Sequence, residues 1–278
     1  MTAPARNDFA DRYGRWAVVA GASEGVGAAG ADELAARGLD VLLLARNGPL
    51  LEELAADLRA RHGVEARMLV VDFTDADAAE RVLAATDGLE VGTLLYNAGA
   101  AGSSGTFLDQ DLAHAMKMIA LNCTMPVALV HGLAPAMVER GRGAVVLVGS
   151  MGCFAGQPYV ASYSAAKAFQ INLAEGLWAE LKDRGVDVLE AVIGSTTTPA
   201  RARRLGVGVD EHLDMSSEDV AREIVEHIAD GPSRVIAKLT SGIGHVAQPW
   251  SEFREFALQA NIDAMAGFNA RTNVGQPD

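Results

Sequence analysis

The chain has 278 residues, half of them hydrophobic, and a formal net charge of −13 at pH 7. This length and composition suit one globular domain with a large core, and the acidic balance opposes non-specific binding to nucleic acid. The longest apolar runs are far too short to cross a bilayer, and the stretch 1–16 lacks the apolar core of an export signal. We therefore expect a cytoplasmic protein with neither a membrane nor a nucleic acid as its partner.

Cysteine and histidine usage narrows the chemistry. Cys123 and Cys153 are the two cysteines of the chain, which indicates a reducing compartment without a disulfide framework. The six histidines do not fall into ligand-like spacing, so no metal site is expected.

Short β-type runs alternate with longer helical segments along the chain. The predicted strands, apolar on both faces, are 15–22, 40–47, 66–73, 93–99, 143–150 and 186–194, with a seventh at 233–240. The predicted helices are 27–37, 48–61, 76–86, 109–139 and 161–184. This alternation predicts an α/β fold, a parallel sheet of six to seven strands with helices on both faces.

Several local signals predict where helices begin and end. Gly38, Gly63 and Gly185 follow helical segments and suit left-handed caps. The sequence "SSED" at 216–219 resembles a capping box that opens a helix running through Asp230. No repeat or linker interrupts the chain, so 1–278 is predicted to be one domain, with 249–278 as a partly helical C-terminal extension.

A glycine-rich turn follows the first strand. Gly21, Gly25 and Gly27 leave bare backbone between this strand and the first helix, and Ser23 and Val26 lie in the same turn. Such a turn, followed by the free N–H groups of a helix N-terminus, is suited to bind the diphosphate of a dinucleotide. Glycine-rich turns also occur simply as sharp bends, but the strand-to-helix context favours nucleotide binding.

The end of the second strand bears on cofactor preference. An acidic residue here would bind a ribose diol, whereas Arg46 suits the 2′-phosphate of NADP(H), which we therefore favour over NAD(H). Arg46 is also compatible with a solvated surface charge, and Glu24 would partly oppose a phosphate. Asp72, at the end of the third strand, is a candidate for contact with the adenine amino group or, alternatively, for capping the helix near 75–86.

Four further residues and two strand ends complete the pattern. Ser150 ends the fifth predicted strand, Tyr163 and Lys167 lie four residues apart, and Asn122 lies within a predicted helix. The fourth strand ends in Asn97-Ala98-Gly99, and the sixth runs into "IGSTTTP". Together with the glycine turn, these features resemble the short-chain dehydrogenase/reductase family in its compact single-domain branch, and the resemblance extends from about Arg15 to Pro199.

The resemblance implies a Rossmann-type doubly wound sheet and a role for each matching residue. Asn122, Ser150, Tyr163 and Lys167 match the catalytic tetrad. Cofactor contacts are implied for the glycine turn and for Tyr163, Lys167, Asn97, Ala98, Gly99, Thr196 and Thr198, with Thr198 holding the nicotinamide carboxamide. The chain departs from the family pattern at Ala20 (usually Thr), Tyr96 (usually Asn) and Ile193 (usually Pro).

The residue chemistry agrees with an oxidoreductase that interconverts a carbonyl and an alcohol. Tyr163 would serve as general acid and base, because an ammonium ~4 Å away contributes up to ~4 kcal/mol at an effective dielectric near 20 and lowers the pKa of a phenol. Ser150 could stabilise charge on the substrate oxygen. The resemblance implies that Asn122 anchors a chain of water molecules that passes protons between Lys167 and solvent. Taken singly, Ser150 is also compatible with a residue that caps the following turn, Tyr163 with a packing residue, and Lys167 with a solvated charge on a helix surface.

The region around the predicted site suggests a substrate class. Residues 199–216 are predicted to form a lid, in which Arg201, Arg203 and Arg204 could bind an anionic group or remain a solvated charge run. An apolar pocket for a hydrophobic or aromatic ketone or alcohol is predicted from Met151, Cys153, Phe154, Pro158 and Tyr159.

Assembly and two alternative functions remain open from sequence. In similar proteins the helices corresponding to 109–139 and 161–184 pair between subunits, so the resemblance implies a homodimer or homotetramer. A non-catalytic nucleotide-binding regulator should have lost the tetrad. An epimerase or dehydratase of the same fold usually carries a larger substrate region.

Overall fold

The computed structural model describes residues 8–99, 105–205, 214–238, 250–256, 258, 259 and 262. The chain divides into two compact units, Met1–Lys238 and Leu239–Asp278. In the second unit residues 250–256 are helical. The single domain expected for 1–278 stays a prediction.

Parallel strands form the centre of the first unit. They are β1 (Trp16–Ala20), β2 (Asp40–Ala45), β3 (Ala66–Val70), β4 (Val91–Tyr96), β5 (Gly143–Val148), β6 (Val186–Ile193) and β9 (Ser233–Ile236). Their order across the sheet is β3-β2-β1-β4-β5-β6-β9, and β7 (Thr196–Thr197) pairs separately with β8 (Met215–Ser216). This is the Rossmann-type doubly wound sheet that the sequence predicted.

Helices cover both faces of the sheet. They are α1 (Asp8–Tyr13), α2 (Gly25–Ala36), α3 (Gly48–His62), α4 (Ala78–Ala85), α5 (Leu112–Ile119), α6 (Met125–Arg140), α7 (Ala161–Leu181), α8 (Pro199–Leu205) and α9 (Ser217–Glu226). One core lies under α2, α3 and α9, and the other lies under α4, α6 and α7. The short helix α1 was not predicted.

The alternation of side chains along each strand explains its continuous apolar sequence. In β1, Ala17 and Val19 belong to one core, whereas Val18 and Ala20 belong to the other. A strand buried on both faces therefore needs apolar residues at every position. The expectation for 66–73 is corrected in this respect, because β3 is an edge strand with 40% and 44% of Met68 and Val70 exposed.

Most of the predicted helix ends agree with the structure. Gly38, Gly63 and Gly185 have φ angles of 84°, 69° and 78°, the left-handed conformation that glycine adopts without strain. Ser216 Oγ accepts a hydrogen bond from the backbone N–H of Asp219 at 3.0 Å, so the N-terminal cap of α9 is present.

Two predicted elements end earlier in the structure than the sequence indicated. Helix α9 ends at Glu226 rather than Asp230, because the chain turns at His227–Asp230 before it enters β9. That strand ends at Ile236 instead of residue 240, and residues 239 and 240 lie outside the described part of the chain.

The segment predicted as one helix over 109–139 is interrupted. A π-helical turn, Ala120–Thr124, separates α5 from α6. The whole segment Leu112–Arg140 is long and apolar enough to cross a membrane by its length and composition. Its buried side chains, including Leu129, Leu133 and Met137, pack on the sheet, which accounts for this composition by core packing.

Candidate active site

The glycine turn forms a bare backbone surface at the carboxyl end of β1. A methyl group added to Gly27 would overlap the carbonyl oxygen of Gly21, and one added to Gly21 would lie 3.0 Å from the backbone nitrogen of Ala98. Gly21 and Gly25 also have positive φ angles of 80° and 60°. The three glycines are therefore needed for the close approach of the turn, α2 and the end of β4.

The N-terminus of α2 leaves its first N–H groups without a side-chain cap. Glu24 occupies the N-cap position in an extended conformation, and its carboxylate instead forms an ion pair with Arg203 of α8. Asn97 Nδ2 donates to the carbonyl oxygen of Gly21 at 3.2 Å and supports the turn. Bare backbone followed by an uncapped helix start fits the diphosphate of a dinucleotide. Of the other turn residues, Ser23 is partly exposed, whereas the Val26 side chain is buried in the core.

Arg46 and Asp72 lie next to each other at the ends of β2 and β3. Arg46 is largely exposed, and its guanidinium is 3.6 Å from the Asp72 carboxylate. Burial alone would raise the pKa of Asp72, but hydrogen bonds from Thr74 and the charge of Arg46 hold this pKa below its ordinary value. Asp72 thus supports the local turn at Thr74, while Asp77 occupies the N-cap position of α4.

Ser150 and Tyr163 meet at the carboxyl end of β5. Ser150 lies two residues after β5 and accepts a hydrogen bond from the backbone N–H of Gly152 at 3.1 Å, which leaves its own hydroxyl hydrogen available as a donor. A methyl group added to Gly152 would lie 3.4 Å from Ser150 Oγ and 3.5 Å from Tyr163 Cε1. The two side chains therefore lie against the same glycine.

Lys167 projects from α7 towards the same strand end and is 2% exposed. Its Nζ donates to the carbonyl oxygen of Val148 at 2.8 Å and to Gln170 Oε1 at 2.7 Å. The ammonium lies 5.8 Å from the centre of the Tyr163 ring. Tyr163 and Lys167 therefore lie close together, as predicted, and the Lys167 ammonium is shielded from water. Its electrostatic effect on the tyrosine is less screened there than at the surface.

Asn122 lies within the π-helical turn and is fully buried. Its Nδ2 donates to the carbonyl oxygen of Met118 at 2.9 Å, whereas Oδ1 has no hydrogen-bond partner. A methyl group on Gly99 would overlap this Oδ1, so Asn122 and the end of β4 are in close contact. The unused acceptor suits a bound water.

Tyr96 has a structural role that sequence reasoning missed. In a helix, the carbonyl of Leu121 would accept a hydrogen bond from the N–H of Met125 or of residue 126. The N–H of Met125 instead donates to the carbonyl of Ala120 across the π-helical turn, and Pro126 has no N–H. The buried Tyr96 hydroxyl donates to this carbonyl at 2.6 Å. Tyr96 in "YNAG" and the proline of "LNCTMP" were the signals for this role in the sequence. Only the fold shows that the tyrosine contacts the turn before the proline.

Thr196 and Thr198 lie where the chain leaves β6. Thr196 is buried in β7 and donates to the carbonyl oxygen of Gly194, while Thr198 Oγ1 accepts from the backbone N–H of Arg201 at the start of α8. A methyl group on Gly25 would lie 3.0 Å from Thr198 Cγ2. This segment therefore adjoins the glycine turn, as a cofactor spanning both requires.

Two arginines of the predicted lid form ion pairs, one within the lid and one with the glycine turn. Arg201 forms an ion pair with the buried carboxylate of Asp214 at 2.6 Å, and Arg203 pairs with Glu24. The predicted lid begins as α8, its residues 206–213 lie outside the described part of the chain, and nothing is assigned to the side chain of Arg204.

A cavity of about 540 Å³ lies beside α7, lined in part by the predicted pocket residues Cys153 and Pro158. Its helical lining, Ala161, Ser164, Ala165 and Ala168, is on the opposite side of α7 from Tyr163 and Lys167, as the helical spacing requires. This cavity is therefore separate from the tyrosine–lysine pair. Met151 instead contacts Gly194, and Tyr159 is exposed with a positive φ of 67°.

Within the described ranges, no group of three or more His, Cys, Asp or Glu side chains is arranged to hold a metal ion. The site residues are a phenol, an ammonium, a hydroxyl and an amide next to a diphosphate-binding turn. This set can move a proton to or from a substrate oxygen beside a nicotinamide, which supplies or accepts a hydride when bound.

Comparisons with known proteins agree with this geometry. The sequence profile of the family described as short chain dehydrogenase matches residues 15–205. The 7beta-hydroxysteroid dehydrogenase of Clostridium sardiniense is 38% identical over 192 residues, which cover 69% of this chain and 73% of that protein.

Two solved structures have the same fold. A structure reported for 7beta-hydroxysteroid dehydrogenase stereoselectivity matches with a TM-score of 0.80 at 29% identity, covering 89% of this chain and 98% of the other. A short-chain dehydrogenase from Sphingobium yanoikuyae in complex with NADPH matches with a TM-score of 0.76 at 30% identity, covering 95% and 98% of the two chains.

Proposed function

Because the chain belongs to the short-chain dehydrogenase/reductase family and is a nicotinamide-dependent oxidoreductase acting on CH–OH groups, we propose that it uses NADP(H) to interconvert a bulky ketone and its secondary alcohol. Tyr163 is the general acid in reduction and the general base in oxidation. The observation that carries this proposal is the buried Lys167 ammonium, 5.8 Å from the Tyr163 ring, at the strand end that also carries Ser150.

Each polar group has a separate task in the proposed reaction. The Tyr163 hydroxyl donates its proton to the substrate oxygen, and the Ser150 hydroxyl stabilises charge that develops on this oxygen. Lys167 favours the phenolate that is left, because a nearby cation lowers the pKa of a phenol. Asn122 Oδ1, a buried acceptor with no partner, holds a water that reconnects Lys167 with solvent.

The test of this mechanism is Tyr163→Phe, with Tyr13→Phe as the matched control. Tyr13 donates its hydroxyl to Asp187 far from the site, so Y13F loses a hydrogen bond without touching the reaction. We expect Y163F to lower kcat by roughly 10²–10⁴-fold while NADPH still binds in a fluorescence titration. Wild-type turnover by a folded Y163F would contradict the mechanism and favour a nucleotide-binding regulator with no use for this residue.

Cofactor preference is proposed from Arg46. Its exposed guanidinium directly follows β2, at a position where an acidic side chain would bind a ribose diol. Glu24 is already paired with Arg203 and so opposes a 2′-phosphate less. The NADPH complex of the Sphingobium relative agrees with this choice.

Steady-state kinetics with both cofactors tests the preference. A charge-assisted hydrogen bond to a phosphate contributes about 2 kcal/mol, so Arg46→Ala should lower kcat/KM for NADPH roughly 30-fold and leave the value for NADH nearly constant. Arg184→Ala, which removes an exposed arginine after α7, serves as the control. Equal or better use of NADH by the wild type would refute the preference.

The substrate is proposed to be a large alicyclic ketone or alcohol of the hydroxysteroid type. Support comes from the two matches named for 7beta-hydroxysteroid dehydrogenase and from the apolar loop after Ser150, in which Met151 and Phe154 are half-buried and Tyr159 is exposed. Large apolar substrates need such a surface.

A nicotinamide absorbance screen tests this substrate class. The panel contains oxo- and hydroxysteroids, a 3-oxoacyl thioester and small ketones, each with NADP(H) and NAD(H). We expect kcat/KM to be highest for the steroids and to fall in Phe154→Ala and Tyr159→Ala. A preference for small ketones, or a specificity profile that both substitutions leave intact, would rule the proposal out.

Assembly and location are proposed from separate observations. Leu112, Met116 and Ile119 are exposed along one side of α5, and Phe169 is exposed on α7. A contiguous apolar surface of this kind favours a homodimer or homotetramer. Cys123 and Cys153 are both present as thiols, as expected for a protein of the cytoplasm.

A further inference from the structure

Strand β6 places a carboxyl group in the core beneath the active site. Along β6 the side chains of Val186 and Val188 face the core under α7. Glu190 is the next residue but one, so its side chain lies on the same face of the sheet. Its side chain is fully buried, and it lies opposite Leu147 of β5. An apolar residue would be expected at this position, because burying an isolated carboxylate is strongly unfavourable.

Glu190 is adjacent to the backbone that holds Lys167. A methyl group on Gly149 would overlap Glu190 Oε1, so the carboxyl lies against this glycine. The preceding residue, Val148, accepts the hydrogen bond from Lys167 Nζ. Neither carboxyl oxygen of Glu190 has a hydrogen-bond partner, and Gln170, which accepts from Lys167, has an unused buried Nε2.

We propose that Glu190 is a positioning residue that acts through Lys167: its buried carboxyl gives up a proton in place of the lysine and so keeps the ammonium beside Tyr163 charged. This inference rests on the proposed function of Tyr163 and Lys167. It concerns a residue that the family resemblance does not single out.

The charged groups around the pair agree with this assignment. Burial lowers the pKa of Lys167 to about 8, opposed by Glu190 and, more weakly, by the thiols of Cys153 and Cys123. Burial also raises the pKa of Glu190 to about 8, opposed by Lys167 and reinforced by Glu175 of α7. Among the described residues, these groups and Tyr163 are the titratable side chains near the pair on α7, β6, the π-helical turn and the turn after Ser150.

The consequence for catalysis follows from the order of proton loss. As pH rises, a proton leaves Glu190, and the carboxylate that remains stabilises the Lys167 ammonium. Without this carboxyl, burial alone acts on Lys167, so its ammonium is lost at a lower pH. The phenolate of Tyr163 then loses the cation that favours it.

The experiment compares the pH dependence of kcat/KM for alcohol oxidation in wild type, Glu190→Gln and Glu190→Met. The midpoint of the alkaline decline should move to lower pH by about one unit in both variants, because an opposite charge at this range shifts a pKa by about 1–3 units. Above this midpoint the variants should be roughly tenfold less active than wild type at the same pH. A purely structural role would lower kcat/KM at every pH without moving the midpoint.

Three further variants separate the possible outcomes. Glu190→Asp should restore a wild-type midpoint, and Glu180→Gln, on the exposed side of α7, should leave it unmoved. Glu175→Gln should not lower the midpoint, because it removes the charge that opposes ionisation of Glu190. Each variant is first checked by thermal unfolding, and E190M substitutes for E190Q if the buried amide prevents folding.

The inference and the proposed function fail in different ways. Unmoved midpoints in E190Q and E190M, with Y163F inactive, would overturn the role of Glu190 alone. Full activity in Y163F would overturn the proposed function itself.

Discussion

Burial determines what single side chains can do in this protein. Lys167 and Glu190 would be solvated charges on most surfaces, but here they are 2% and 0% exposed. Two desolvated groups of opposite charge are costly to bury and are more costly still when one is removed, because the other then remains uncompensated. The pair is therefore expected to lower the stability of the fold, as groups in a functional site often do.

A double-mutant cycle tests this cost. Removing one partner of a buried pair typically costs about 3–5 kcal/mol, whereas replacing both by apolar residues is neutral or stabilising by about 1–4 kcal/mol. We expect Lys167→Met and Glu190→Met each to lower the free energy of unfolding, and K167M/E190M to equal or exceed the wild type. Urea denaturation just above pH 8, where the carboxyl of Glu190 is ionised, measures all four proteins, and strictly additive losses would show that the two groups are not coupled.

Gly27 provides a second test at the residue scale. Its missing side chain allows α2 to contact the carbonyl of Gly21, so Gly27→Ala must displace backbone. We expect G27A to weaken NADPH binding at least tenfold and to lower the melting temperature. Gly176→Ala in α7, where a methyl group meets nothing within 4 Å, should instead stabilise by about 0.5–1 kcal/mol and bind NADPH normally. Normal NADPH binding by G27A would contradict the assignment of the glycine turn as the diphosphate-binding site.

At the scale of elements, the interrupted helix places Asn122. An unbroken α-helix over Leu112–Arg140 would satisfy its own carbonyl groups, but the π-helical turn and Pro126 leave the carbonyl of Leu121 without a backbone donor. Tyr96 supplies this donor from β4. A side chain of the sheet thus stabilises the irregular turn from which Asn122 contacts Gly99.

Tyr96→Phe tests the link between β4 and this turn. An unsatisfied buried carbonyl costs about 1–3 kcal/mol, so Y96F should be less stable by about this amount. Its kcat should also fall severalfold at a nearly constant dissociation constant for NADPH, because Asn122 is no longer held in place. Y13F is the matched control: it should lose stability and keep its kcat. Unchanged turnover in Y96F would limit Tyr96 to a structural role.

For the whole molecule, the distribution of surface character predicts assembly. The chain carries a net charge of −13 and is expected to stay soluble, yet α5 leaves Leu112 70% and Met116 54% exposed. Helices α5 and α7 contact each other, so these residues and Phe169 belong to neighbouring elements. We therefore predict that these apolar side chains on adjacent helices form an interface between subunits.

Light scattering tests this interface. The wild type should have two or four times the mass of one chain, and Met116→Glu and Phe169→Glu should shift the mass towards that of a single chain. Met68→Glu, which changes an equally exposed side chain on the edge strand β3, should leave the assembly intact. A wild type with the mass of one chain at micromolar concentration would exclude a stable oligomer.

Patterns local in sequence were sufficient for most of the fold. Apolar strands alternating with helices predicted the parallel sheet, and glycines at helix ends predicted the left-handed caps, because these features depend on neighbouring residues. The errors occurred where contacts distant in sequence decide. The π-helical turn, the exposed face of β3 and the early end of α9 depend on Tyr96, on position in the sheet and on the turn into β9.

The sequence by itself determined the kinds of groups in the site, because the order and spacing of Ser150, Tyr163 and Lys167 are properties of the chain. Only the tertiary structure decided their environment: which carbonyl groups hold the ammonium, which carboxyl lies beside it, and which acidic group Arg203 neutralises. The physical reason is that burial and electrostatic coupling depend on residues that are far apart in the chain. The fold gives both Tyr96 and Glu190 their roles. It brings Tyr96 to the π-helical turn that carries Asn122, and Glu190 to Gly149, next to the carbonyl group that holds Lys167.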